Sequence, residues 1–179
     1  TNVDTGLTAY CVVTVTQPVT GITLNSDYQE LWVGAKYAII PVIEPYDAEN
    51  KNVTYLSSDP TVATVDENGV VTALKGGSCV IEVTTEVNKL TAACTIVVKE
   101  YVSSIELSET DKFMNVGATG TLIATVGTDT ATNKNIIWSS SNNDICYVDQ
   151  QGNISADSVG NAVITATAAD GSGVSASCI

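Results

Sequence analysis

Apolar side chains recur at every second position in short stretches along the whole chain. Tyr37-Ala38-Ile39-Ile40-Pro41-Val42-Ile43, Val80-Ile81-Glu82-Val83-Thr84, Cys94-Thr95-Ile96-Val97-Val98, Leu122-Ile123-Ala124-Thr125-Val126 and Val163-Ile164-Thr165-Ala166-Thr167 all follow this pattern. Successive side chains of an extended strand point to opposite faces, so a period of two predicts half-buried strands. Turn residues separate them: Asp59-Pro60, Glu67-Asn68-Gly69, Lys75-Gly76-Gly77, Gln151-Gly152-Asn153 and Asp170-Gly171-Ser172-Gly173. No stretch carries an apolar stripe at helical spacing. Short strands with a turn signal every 8 to 12 residues or so predict an all-β chain built from sandwiches.

The pattern is written twice. Tyr55-Leu56-Ser57-Ser58-Asp59, Val62-Ala63-Thr64-Val65-Asp66, Gly69-Val70-Val71-Thr72-Ala73 and Gly77 return 83 residues later as Trp138-Ser139-Ser140-Ser141-Asn142, Ile145-Cys146-Tyr147-Val148-Asp149, Gly152-Asn153-Ile154-Ser155-Ala156 and Gly160. Ile22 answers to Ile105 and Gly34 to Gly117 at the same offset. A fixed spacing over so many positions marks duplicated folding units. We therefore expect one sandwich over residues 19–100 and a second over 101–179, the latter with its final strand cut short. Residues 8–15 align with 91–98, so residues 1–18 are expected to be the last strand of a preceding repeat. Two readings of that segment stay open: residues 1–18 lie along their own neighbouring domain or fray, or the strand, with Cys11, Val13 and Val15 alternating, pairs at an open sheet edge and chains associate head to tail.

Mid-strand positions 55 and 138 suit the one large aromatic plug a sandwich places between its sheets. Gly69 and Gly152 are expected in tight turns with positive φ. These positions read as folding determinants. The chain is similar to tandem bacterial immunoglobulin-like domains of group 2, the modules repeated in invasin- and intimin-type surface proteins. The resemblance rests on Ile22-Thr23-Leu24 and Ile105-Glu106-Leu107, on Val33-Gly34 and Val116-Gly117, on the aromatic-serine pairs at 55 and 138, on the run Val62-Ala63-Thr64-Val65-Asp66 to Val71, and on Gly77 to Ile81 and Gly160 to Ile164. It implies immunoglobulin-like sandwiches and a non-catalytic, extracellular role as a stalk or adhesion segment at a bacterial cell surface or in a secreted protein. Neighbouring Ig-like repeats are the implied partners. Two further functions stay open: a module binding carbohydrate or a host surface protein, with Tyr28, Trp32 and Tyr37 as the aromatics to inspect, and a virion or fibre component.

Composition narrows the chemistry. Seven Lys and Arg against twenty Asp and Glu leave a net charge of −13, which repels phosphate backbones and argues against nucleic acid. No run reaches the roughly 18 apolar residues that a membrane helix needs, so membrane insertion is not expected. The 179 residues contain no histidine, which removes the commonest general base and metal ligand; neither a Ser-His-Asp nor a Cys-His arrangement is available. No catalytic residues, cofactor or metal site are expected. Calcium is the one cation worth weighing, through loop acids Asp59, Asp66, Glu67 and Asp149 or carboxylates at the 99–101 junction, but none has EF-hand spacing. Lys75-Gly76-Gly77-Ser78 is too short for a phosphate-cradling loop and reads as a turn.

Five cysteines remain. Cys11, Cys94 and Cys178 fall at one final-strand position, whereas Cys79 and Cys146 face Ala162 and Ala63 in the other repeat. One shared and one private cysteine per unit predict bridges Cys79–Cys94 and Cys146–Cys178, with Cys11 unpaired. The alternative is five reduced core thiols acting as small hydrophobes.

Overall fold

The computed structural model describes residues 10–13 and 15–179. Among them there are seventeen strands and no helix. Domain 1 holds three sheets. Strands β1 (Gly21–Leu24) and β4 (Pro41–Glu44) form an antiparallel pair. Four strands, β2 (Tyr28–Trp32), β9 (Thr91–Lys99), β8 (Gly77–Thr85) and β5 (Val53–Ser57), lie side by side in that order, with β2 parallel to β9. Opposite them lie β3 (Lys36–Ala38), β7 (Val70–Ala73) and β6 (Ala63–Val65). Domain 2 repeats the plan with one strand fewer, since no strand forms at 111–115, the counterpart of β2. There β10 (Ile105–Leu107) pairs with β12 (Ala124–Val126), β13 (Ile136–Ser140) with β16 (Ile164–Ala168) and β17 (Ser175–Cys178), and β11 (Thr119–Thr121) with β15 (Asn153–Ala156) and β14 (Cys146–Val148).

Alternation decides which side chains enter each core. On β8, Cys79, Ile81, Val83 and Thr85 point inward, and on β9 Cys94, Ile96 and Val98 do; all are buried. They close on Val71 and Ala73 of the facing sheet and on Ile39 and Val62, which flank its strands. Domain 2 has its own core of Leu122, Trp138, Val148, Ile154, Ile164, Ala166 and Ala168. Two separate cores make two sandwiches in series.

The Asp-x-x-Gly turns explain the strictest part of the repeat. Asp66 accepts hydrogen bonds from the amides of Asn68 and Val70, and Asp149 accepts them from Gln151 and Asn153. Gly69 and Gly152 sit at φ of 78° and 83°. A Cβ there would lie 2.8 Å from the Tyr55 ring and 3.0 Å from the Trp138 ring, so the turn is both left-handed and pressed against the aromatic plug.

Two features depart from expectation. The segments 37–43 and 122–126 are each split rather than continuous. Ile39 and Leu122 drop into the core, Ile40 and Ile123 face solvent, and the chain passes from one sheet to the other at those points. The expected bridges are absent as well: all five cysteines are free thiols. Cys79 stands opposite Ile96 and Cys94 opposite Ile81, so the two are diagonal neighbours. Diagonal positions lie about 7–8 Å apart, beyond the usual reach of a disulfide. Cys146 and Cys178 sit on different sheets of domain 2, at the wall of a cavity of about 180 Å³. Burial pushes the Cys79, Cys94, Cys146 and Cys178 thiols above their ordinary pKa, which keeps them protonated.

Of the segment expected as a preceding repeat's strand, residues 1–9 and 14 lie outside the described residues. Residues 10–13 and 15–18 join no sheet, and Cys11 is exposed.

Candidate functional site: the domain junction

Lys99 ends β9, and its carbonyl still accepts from Val33 in domain 1. The next residue already belongs to domain 2, because Glu100 donates its amide to Thr132 Oγ1 at 2.9 Å and accepts the Thr132 amide on its carbonyl at 2.9 Å. Val102 donates to the Asp170 carboxylate at 2.5 Å, and Ser103 donates to Thr128 Oγ1 at 2.8 Å. Backbone groups in the connection are thus held by domain 2, and little slack chain separates the two bodies.

The Glu100 side chain then reaches back. One oxygen, Oε2, accepts the Gly76 amide of domain 1 at 2.9 Å and the Thr130 hydroxyl of domain 2 at 2.6 Å. These donors, first Thr130 and then Gly76, hold its carboxyl below the usual carboxylate pKa, and the Lys75 charge acts in the same direction. Asp170 is likewise held low, by Ser172 and then by the Val102 amide. Beside this clamp Trp32 stacks on Tyr101, with ring centroids 4.0 Å apart and planes inclined by 7°. Such a pair contributes about 0.5–1.5 kcal/mol beyond area burial. Bending the junction would separate these rings and strip Glu100 of donors on one side or the other.

The expected binding aromatics divide between two faces. Tyr28 and Trp32 share the outer face of β2, where Tyr28 donates its hydroxyl to Glu30 and Glu30 pairs with Lys99. Tyr37 lies in the opposite sheet, half-buried against the domain 1 core, with its oxygen accepting from Asn25. Asp59, Asp66 and Asp149 are engaged by the amides of their own turns. Among the described residues no group of three or more Asp, Glu or Cys is placed to hold a metal ion. The sequence reading reached the junction through Lys99-Glu100-Tyr101 but missed Gly76 and Thr130. One signal was there to be read: Gly76 and Trp32 are positions at which the two repeats differ.

The fold and the pinned junction define a tandem immunoglobulin-like protein. Residues 18–96 and 101–178 each match the bacterial Ig-like domain (group 2), and the chain belongs to that family. It is 37% identical over 160 residues to an uncharacterized protein of Clostridium acetobutylicum, covering 89% of this chain and 16% of that protein. It is 33% identical over 102 residues to an Ig-like virion protein of Serratia phage KSP90, covering 55% of this chain and 40% of the relative. The chain thus spans less than half the length of either relative. Human protocadherin-24 EC1-2 is similar in structure, with a TM-score of 0.52 at 12% identity, covering 90% of this chain and 94% of that one. At that identity the likeness speaks for the fold alone.

Proposed function

We propose that the chain is a non-catalytic spacer: an extracellular stalk segment of a bacterial surface or secreted protein, holding another part of that protein at a set distance and angle. The observation that carries this reading is the Glu100 clamp with its Trp32–Tyr101 stack. A flexible tether has no use for side chains that fasten one bead to the next, whereas a strut needs them. Two separate cores joined without slack support it further, as does membership of a family of repeated Ig-like modules. Absence of histidine from the sequence agrees with a role without catalysis.

A second reading is a binding module for carbohydrate or a host protein, favoured by Tyr28 and Trp32 lying exposed on one sheet face. A virion or fibre role is a third, and the phage relative's name supports it. Spin labels at one exposed site in each domain separate a strut from a flexible module. A strut gives one narrow distance distribution by pulsed dipolar spectroscopy. A distribution broad enough to span bent and straight arrangements would contradict it.

A further inference from the structure

The repeat offset gives each junction residue a counterpart at the outer end of its neighbour. On the face of domain 1 that receives domain 2, Trp32 and Gly76 correspond to Asn115 and Val159 in domain 2. On the face that domain 2 presents, Glu100, Tyr101 and Thr130 correspond to Gln17, Pro18 and Asp47 in domain 1. Surrounding positions keep their character: Ala48 and Ala131 are both buried, and the Gln17 carbonyl accepts from Glu49 just as that of Glu100 accepts from Thr132. The frame is shared at both ends, and the contact residues have changed.

Gly76 has no left-handed backbone that would call for glycine. It is required by what lies against it. A Cβ on Gly76 would stand 2.3 Å from the Thr130 carbonyl oxygen and 3.0 Å from Glu100 Cβ, and real Cβ contacts essentially never fall below 3.0 Å. The obstacle is backbone, which cannot swing aside as a long side chain can. Val159 carries that forbidden Cβ and two methyl groups beyond it, and stands 90% exposed. Asn115 has no ring to stack. On the other face, Pro18 offers no aromatic ring and Asp47 no hydroxyl to donate.

We infer that the junction is a selective pair of interaction surfaces. The face marked by Trp32 and Gly76 accepts an Ig-like domain that opens with an acidic and an aromatic residue and presents a hydroxyl at position 130, and the homologous face of domain 2 rejects that same mode. Domain order is therefore written into contacts, not only into chain connectivity. This goes beyond the spacer reading and stands whether or not the chain serves as a strut.

Exchanging counterparts in the whole chain tests it. Gly76→Val and Trp32→Asn install domain 2's residues on domain 1's accepting face, and Val159→Gly is the reciprocal change on the homologous face of domain 2, away from the junction between residues 99 and 103. Small-angle X-ray scattering reads the spread of interdomain arrangements, amide shifts of Thr130 and Thr132 read the contact, and thermal melts show that both domains stay folded. We expect both junction variants to broaden the pair-distance distribution and shift those amides, with Val159→Gly matching the parent. Should Gly76→Val unfold domain 1, Trp32→Asn decides, since it leaves the glycine in place. Parental scattering and amide shifts in a folded Trp32→Asn or Gly76→Val chain would overturn the inference, and so would an equal change from Val159→Gly.

Discussion

Where domain 1 sets Tyr55 opposite Val83 across a pair of strands, domain 2 sets Trp138 opposite Ala166. The larger ring faces the smaller partner, so the volume enclosed at this level of the sandwich changes little. One step along, buried Thr85 becomes Ala168. The Thr85 hydroxyl donates to the Val87 carbonyl and accepts the Leu90 amide, which braces a hairpin whose left-handed residues are Asn88 and Lys89. Domain 2 lacks that hydroxyl and uses Gly171 and Gly173 at the left-handed positions. Three kinds of position emerge. Turn residues such as Asp66 and Asp149 are the same in both units, core residues vary in compensating pairs, and the residues that meet at the junction differ from their counterparts at the far ends of the two domains.

The largest effect should come from emptying the plug. Trp138 is only 6% exposed, and Trp138→Ala should lower the stability of domain 2 by about 3–5 kcal/mol, seen as an early transition in a denaturant melt that leaves domain 1 in place. Tyr55→Ala should cost less, because Tyr55 is only partly buried. Equal losses would dissolve the distinction between the two cores.

Next comes the exchange of one domain's solution for the other's. Trp138→Tyr and Ala166→Val should each destabilise domain 2, while the double variant recovers about 1 kcal/mol of the summed loss. Strict additivity would show that the two positions do not share a volume.

A smaller gain is expected in the domain 1 hairpin. Lys89 holds a φ of 53°, so Lys89→Gly should stabilise domain 1 by about 0.5–1 kcal/mol in a denaturant melt, whereas no such gain is available at Gly171 or Gly173.

The smallest effect concerns acid. The Asn153 side chain, followed by backbone amides of the turn, holds the Asp149 carboxyl below its ordinary pKa. A folded value below the unfolded one gives stability that is complete above the unfolded pKa and is lost as pH falls through the folded value. Asp149→Asn should flatten the acid limb of domain 2's stability profile and leave that of domain 1 unchanged.

The repeat, the turn glycines and the aromatic plugs were legible because each follows from spacing along the chain. Strand switching at Ile39 and Leu122 was not, since alternation records which face a residue takes and not which sheet it joins. Cysteine phase placed Cys79 and Cys94 on the inner faces of adjacent strands, but only register shows them to be diagonal. Parallel pairing of β2 with β9 joins segments far apart in sequence and left no local signal. At the junction, Glu100 was visible as a linker acid, and its partners Gly76 and Thr130 were hidden because a contact between domains has no period.

The central claim is that two sandwiches of common design are fastened into one body at Glu100. Residual dipolar couplings from both domains of the weakly aligned chain test it most directly. We expect a single alignment tensor to fit the amides of residues 19–99 and 104–179 together. Two tensors of clearly different magnitude would mean that the domains reorient independently, which would contradict a fixed junction.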